Sequence, residues 1–158
     1  MESKIWQKQL DEILPYYGHR NWILVTDMAF PKQSSNGIRY INTNENLTGV
    51  LQQVLDKLSK SEHIKPVIYT DKELAFITEK QAKGINKLRN TILQLTKEWS
   101  SETLLHEDVF GKLNESSNLF ETLVLKTNCT IPYSSVFIYL DCKYWNEVNE
   151  TTLRNAMG

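Results

Sequence analysis

The chain has 158 residues, 41% of them apolar and 23% charged, a globular composition long enough for one core. Its formal net charge of −1 and pI near 6.3, with Lys and Arg scattered along the chain, exclude the basic footprint of a nucleic-acid binder and a polybasic membrane patch. No apolar run approaches the ~20 residues that span a bilayer, and the opening "MESKIWQKQLDEIL" is charged and amphipathic rather than a secretory leader, so the expected location is the cytoplasm.

Residues 3–14 place Ile5, Trp6, Leu10, Ile13 and Leu14 near helical spacing, and Pro15 and Gly18 close that helix. Trp22–Thr26 reads as a buried strand. A turn-rich loop, Phe30 to Gly37, leads to "IRYINT", a half-buried strand. Residues 45–60 carry the clearest helical stripe: Leu47, Val50, Leu51, Val54, Leu55 and Leu58 share one face. "KPVIYT" is a strand that runs into an acidic loop, Asp71-Lys72-Glu73. Helical spacing returns from Thr78 to Trp99 through Ile85, Leu88, Ile92 and Leu95, with Gly84 as a weak point. A brief extended piece and a short helix, His106–Leu113, come next. "FETLVLKT" and "SSVFIYLDC" are two last strands joined by a turn around Asn128–Pro132. That link is too short for a helical crossover, so the two strands should run antiparallel. Residues 143–158 read as a polar tail.

Strands alternating with helices predict an α/β fold: one three-layer α/β/α domain with a mixed, mainly parallel sheet over residues 1–142. Cys129 and Cys142 lack a CxxC spacing and sit beside apolar segments, so they read as plain core thiols. Four N-x-S/T sequons (Asn46, Asn114, Asn128, Asn149) read as chance matches.

The three histidines suit proton transfer near neutrality. His63 lies at a polar helix end and reads as a solvated or capping residue. His19 lies in a Gly-His-Arg-Asn loop before a strand. His106 opens a helix, where a solvated helix start is the plainer alternative. Asp27 ends a strand, and in open α/β sheets ligands bind beyond the carboxyl ends of the strands. The competing role for Asp27 is a turn cap. Asp71 and Glu73 follow a strand in the same way. Tyr133, after Pro132 in a turn, can present its hydroxyl. No metal triad, dinucleotide fingerprint, phosphate loop or nucleophile elbow occurs. A cofactor-free, metal-free proton-transfer site of His plus carboxylate remains.

Three segments resemble a known family. "GHRNWILVTDMAFP" is similar to the G-H-x-D-x-(apolar)-D-x-x-F/L-P segment near the start of the D-ribose pyranase / L-fucose mutarotase family. "LLHEDVF" is similar to the ribose-type segment in which Thr-His-Glu precedes an aromatic. "FETLVLKTNCTIPYSSVFIYL" is similar to the strand–turn–strand that carries the family's P-Y-x-N or L-Y-G-N motif. The resemblance implies a monosaccharide mutarotase or pyranase that needs no cofactor. It implies that His19 is the proton donor and that Asp27, His106, Tyr133, Ser134 and Ser135 hold the sugar. It also implies homo-oligomeric rings, pentamer or decamer, with sites between neighbouring subunits. The family's Asn in the P-Y-x-N turn is Ser135 here, and the family's "DMAFP"-like and His-containing segments belong to different branches, fucose-type and ribose-type.

Ring opening and reclosure need only proton transfer between oxygens, so an acid/base near neutrality and positioned hydrogen bonds suffice. His19 and Asp27 are eight positions apart, roughly 25 Å if extended. Either the chain around His19 folds back, or His19 serves a site whose Asp27 belongs to a neighbour. The alternatives to an isomerase are a non-catalytic sugar-binding or transport-accessory module, and a hydrolase or lyase using the same His and Asp.

Overall fold

Trp22–Thr26 forms β1, and all five of its residues are buried, as a strand covered on both faces must be. The computed structural model describes residues 5–158. Around β1 lie β2 (Ile38–Asn42), β3 (Ile64–Asp71), β4 (Ser100–Leu104), β5 (Thr122–Lys126) and β6 (Val136–Cys142). They form one sheet in the order β2-β5-β1-β6-β3-β4. The β1–β5, β2–β5 and β3–β4 pairs are parallel, and β6 runs antiparallel to both β1 and β3. The mixed, mainly parallel α/β sheet expected from the sequence is what forms.

The expectation that the last two strands form a neighbouring antiparallel pair does not hold. β5 and β6 do run in opposite directions, but they are not neighbours: β1 lies between them. The link between them therefore crosses the carboxyl end of β1 instead of making a hairpin.

Three helices cover one face: α1 (Ile5–Ile13), α2 (Leu47–Ser59) and α3 (Ile85–Thr96). Their stripes, among them Leu10, Leu51, Leu58, Ile85 and Ile92, pack on Ile23, Val25, Ile68, Leu123 and Ile138 of the sheet. Burial of each such side chain contributes about 1.5–3 kcal/mol. The other face carries α4 (His106–Ser117), whose Val109 and Leu113 meet Trp22, Leu24, Val124 and Phe137. The alternation along β1 sends Ile23 and Val25 to one layer and Trp22 and Leu24 to the other.

Local chemistry sets the helix starts. The Asn46 side chain accepts the Gly49 N–H at 2.7 Å and caps α2. Gly84, at φ +91°, occupies the left-handed region just before α3, so the helix begins there and not at Thr78. The α4 helix runs four residues beyond the expected Leu113, to Ser117. The first helix ends at Ile13, and Leu14–Tyr16, with Pro15, makes a 3-10 turn; residues 3 and 4 of the expected helix lie outside the described residues. The expected polar tail contains a helix, α5 (Glu147–Ala156), none of whose side chains is buried. Cys129 and Cys142 are free and half-buried, so neither is fully a core thiol. His63 is half-buried: its Nε2 lies 2.9 Å from the Tyr17 carbonyl and its Nδ1 3.0 Å from Ser61 Oγ, tying the start of β3 to the end of the 3-10 turn. Among the described residues no helix is long and apolar enough to cross a membrane.

Candidate active site

The carboxyl ends of β1 and β3 and the start of β6 meet at one edge of the sheet. Asp27 follows β1, Asp71 ends β3 and Ser135 precedes β6. The loop from Thr127 to Ser135 is strapped across the end of β1. Its Thr127 N–H donates to the Thr26 carbonyl at 3.0 Å, and the Met28 N–H donates to the Cys129 carbonyl at 2.7 Å. Within this loop Tyr133 adopts φ +58°, a conformation that costs an L-residue about 1–2 kcal/mol. The strained backbone turns its ring edge-on to the His106 imidazole, with centroids 5.5 Å apart.

Ser135 clamps Asp27. Its hydroxyl accepts the Asp27 N–H at 3.1 Å and donates to Asp27 Oδ1 at 3.0 Å. Opposite, His106 Nδ1 lies 2.8 Å from Asp71 Oδ2, in hydrogen-bond contact. The His106 backbone N–H is held by both carboxylate oxygens of Glu73, at 3.0 and 3.1 Å. The Glu73 carboxylate thereby caps α4 from outside, at the helix end where partial positive charge favours an anion. The imidazole also packs edge-on against Phe110, centroids 4.8 Å apart. Asp27, Asp71, His106, Tyr133 and Ser135 line one cavity of about 350 Å³, walled by Phe30, Phe110, Pro31 and Pro132. That is the lower end of the range for small-ligand sites.

Asp71 is buried, and burial pushes its carboxyl up from the ordinary 3.8 to about 6. The hydrogen bond and charge of His106 act in the opposite direction, and the Glu73 and Asp27 carboxylates add to the rise. Its second oxygen, Oδ1, is buried with no hydrogen-bond partner among the described residues.

His19 is elsewhere. It lies before the amino end of β1, at the sheet edge opposite Asp27. Its Nδ1 is 3.0 Å from Asp141 Oδ1 at the far end of β6, and the two side chains are 48% and 34% exposed. Its loop is held by Asn21, whose Oδ1 accepts the Gly18 N–H and whose Nδ2 donates to the Glu121 carbonyl. An aspartate at that place lacks the second of these bonds. Arg20, at φ +81°, completes the turn. The five-residue β1 alone separates the two edges by roughly 16 Å. The chain does not fold back to bring His19 to Asp27.

Ser134 is fully buried, and its hydroxyl donates to the Ile131 carbonyl at 2.7 Å, so it shapes the turn and does not line the cavity. Of the residues singled out in the sequence, the structure gathers Asp27, His106, Tyr133 and Ser135; it leaves His19 and Ser134 outside. Asp71, a strand-end candidate, lines the same cavity, and Glu73, put forward with it, stands behind it on the His106 backbone N–H; Phe30 and Phe110 carry no signal in the sequence that sets them apart. Among the described residues no group of three or more His, Cys, Asp or Glu side chains is placed to hold a metal ion. The groups that are there can accept and donate protons and hydrogen-bond several hydroxyls of a small polar molecule.

The sequence matches no protein-family model and no curated protein. Solved structures do match. RbsD of Bacillus subtilis, complexed with D-ribose, superposes with a TM-score of 0.60 at 17% identity, covering 89% of this chain and 97% of that one. The fucose mutarotase of Streptococcus pneumoniae, complexed with L-fucose, gives 0.58 at 17%, covering 84% and 91%. FucU of Bifidobacterium longum gives 0.56 at 16%, covering 85% and 94%. The chain has the fold of these proteins, the same family that its three sequence segments resemble.

Proposed function

We propose that the protein is a cofactor-independent monosaccharide mutarotase or pyranase acting on a ribose- or fucose-like sugar. The observation that carries this is the cavity at the strand ends, where Asp27, His106 and Tyr133 converge in a fold shared with a ribose-bound and a fucose-bound protein. Asp27, oriented by Ser135, and Tyr133 bind sugar hydroxyls, and His106 binds beside them. Ser134 contributes by holding the turn.

His19 supplies the proton transfer from a neighbouring copy. Within one chain it is too far from Asp27 to touch the same sugar, and it stands half-exposed at the opposite edge of the sheet. Copies arranged so that the His19 edge of one meets the Asp27 edge of the next, as in a closed ring, complete each site. A positioned acid/base of this kind contributes about 10²–10⁴-fold.

Saturation-transfer NMR on ribose, fucose and related sugars tests the activity. Accelerated exchange between ring forms or anomers is expected; saturable binding without it overturns the enzyme. The shared site is tested by mixing two inactive variants, His19→Ala and Asp27→Asn. Rate recovered on mixing supports sites built from two copies, and no recovery from co-refolded chains overturns them.

One observation favours a second reading, a sugar-binding module without turnover. The residue in the place of the family's Asn is Ser135, and its hydroxyl is already committed to Asp27. The same NMR experiment separates the two.

A further inference from the structure

We propose that Asp71 and His106 form a second acid–base pair of this site, in which His106 Nε2 exchanges a proton with the sugar's ring oxygen and Asp71 is the positioning residue behind it. This rests on the mutarotase reading.

A histidine that merely donated a hydrogen bond to a sugar hydroxyl needs no buried carboxylate at its back. Here three independent constraints fix the imidazole. Asp71, with its side chain 0% exposed, holds Nδ1 at 2.8 Å. Glu73 grips the backbone N–H with both oxygens. Phe110 and Phe137 stand edge-on to the ring, 4.8 and 6.4 Å away between centroids. An ionised carboxylate only accepts, so Nδ1 carries the hydrogen and Nε2 is the nitrogen left for the cavity that His106 lines. This is the arrangement of an imidazole whose tautomer is set for proton transfer.

The step balances without any other reactant. The sugar's anomeric hydroxyl gives its proton to the neighbour's imidazole, and the O–H electron pair becomes the carbonyl π bond. The bond from the anomeric carbon to the ring oxygen breaks, its pair goes to the ring oxygen, and that oxygen takes the proton from His106 Nε2. His106 passes from imidazolium to neutral imidazole against an Asp71 carboxylate. Rotation and reclosure on the other face reverse every transfer.

The groups facing the pair are Asp27 after β1, Glu73 after β3 and Tyr133 in the loop before β6; Glu107 and Asp108, in the first turn of α4, are exposed to solvent. Burial of Asp71 raises its carboxyl to about 6, so acidification through that region protonates it and replaces the charged acceptor for Nδ1–H with a weaker neutral one.

The test compares wild type, Asp71→Asn and His106→Gln by saturation-transfer NMR from pH 5 to 8, with sugar affinity titrated in the same samples. Asp71→Asn is expected to lose about tenfold or more of the exchange rate, with affinity changed less than about threefold, and to lose the acid limb of the profile. His106→Gln is expected to lose at least as much, and the double variant no more than the worse single, because the two act as a unit. In wild type, nitrogen-15 shifts should show neutral His106 protonated at Nδ1. Exchange in Asp71→Asn within about twofold of wild type, with the same pH profile, overturns the pair and leaves the mutarotase reading standing. Absence of exchange in wild type overturns both. If Asp71→Asn does not fold, His106→Gln decides alone: unchanged exchange overturns the pair.

Discussion

Each end of β1 has a histidine whose Nδ1 faces an aspartate, and the two pairs differ in almost everything else. At the carboxyl end His106 meets an Asp71 that is fully out of solvent, with Glu73, Tyr133 and Phe110 around it. At the amino end His19 meets an Asp141 that is one-third exposed, in a loop held by Asn21. Distance is the same within a few tenths of an ångström, so geometry alone does not separate the pairs. Burial does. A buried pair fixes a tautomer and responds to pH as one object; an exposed pair is screened, weak and free to swing toward a partner.

The largest expected effect breaks the comparison at the exposed end. His19→Ala should reduce sugar exchange by about 100-fold or more while the denaturant midpoint stays where it was, because a surface pair adds little stability. Loss of exchange together with loss of folding would mean that His19 is structural.

At the buried end the signature is stability against pH. The folded Asp71 pKa lies above the unfolded value, so the folded state holds more protons between about 4 and 6. Stability from this group therefore falls as pH rises through that window, and its full cost is present above about 6. Relative to Asp71→Asn, wild type should gain on the order of 1–3 kcal/mol on acidification from pH 7 to pH 4. Urea midpoints of both proteins at each pH measure it, and parallel curves would refute it.

Ser135→Ala should cost about 1–2 kcal/mol, since it strips a hydrogen bond from the Asp27 N–H and frees its carboxylate to rotate. Weaker sugar binding should accompany it in calorimetric titration. Smallest of all, Asp141→Asn should change stability by less than about 1 kcal/mol and leave Asp71's pH dependence untouched, as expected of an exposed pair.

What was legible in the sequence follows from what is local. The strand Trp22–Thr26, the stripe of α2 and the carboxylate Asp27 at a strand end are local patterns, and all stand where expected. The resemblance of the segments around His106 and Tyr133 led to residues that share the cavity. Non-local facts stayed hidden. The β1 strand pairs with both β5 and β6, and no spacing in the link between those two reveals a third strand between them. Asp71 reads like any residue after a strand until α4 is laid across it. The α5 helix buries none of its side chains; it rests on an Asn146 cap and a Glu150–Arg154 pair. Gly84 reads as a weakness inside a helix, and its left-handed backbone stands as the cap just before that helix.

Strand β6 begins beside Asp27 and carries Asp141, next to His19, one residue before its other end. One rigid seven-residue element thus keeps the two halves of the proposed site roughly 20 Å apart within every copy. On the proposed reading each chain carries both halves and no whole site, and a working site forms only on encounter with another chain. The specific activity becomes a function of the protein's own concentration: serial dilution below the dissociation constant of the assembly should lower the rate per chain, and an excess of folded, inactive Asp27→Asn chains should slow that decline by lending their His19.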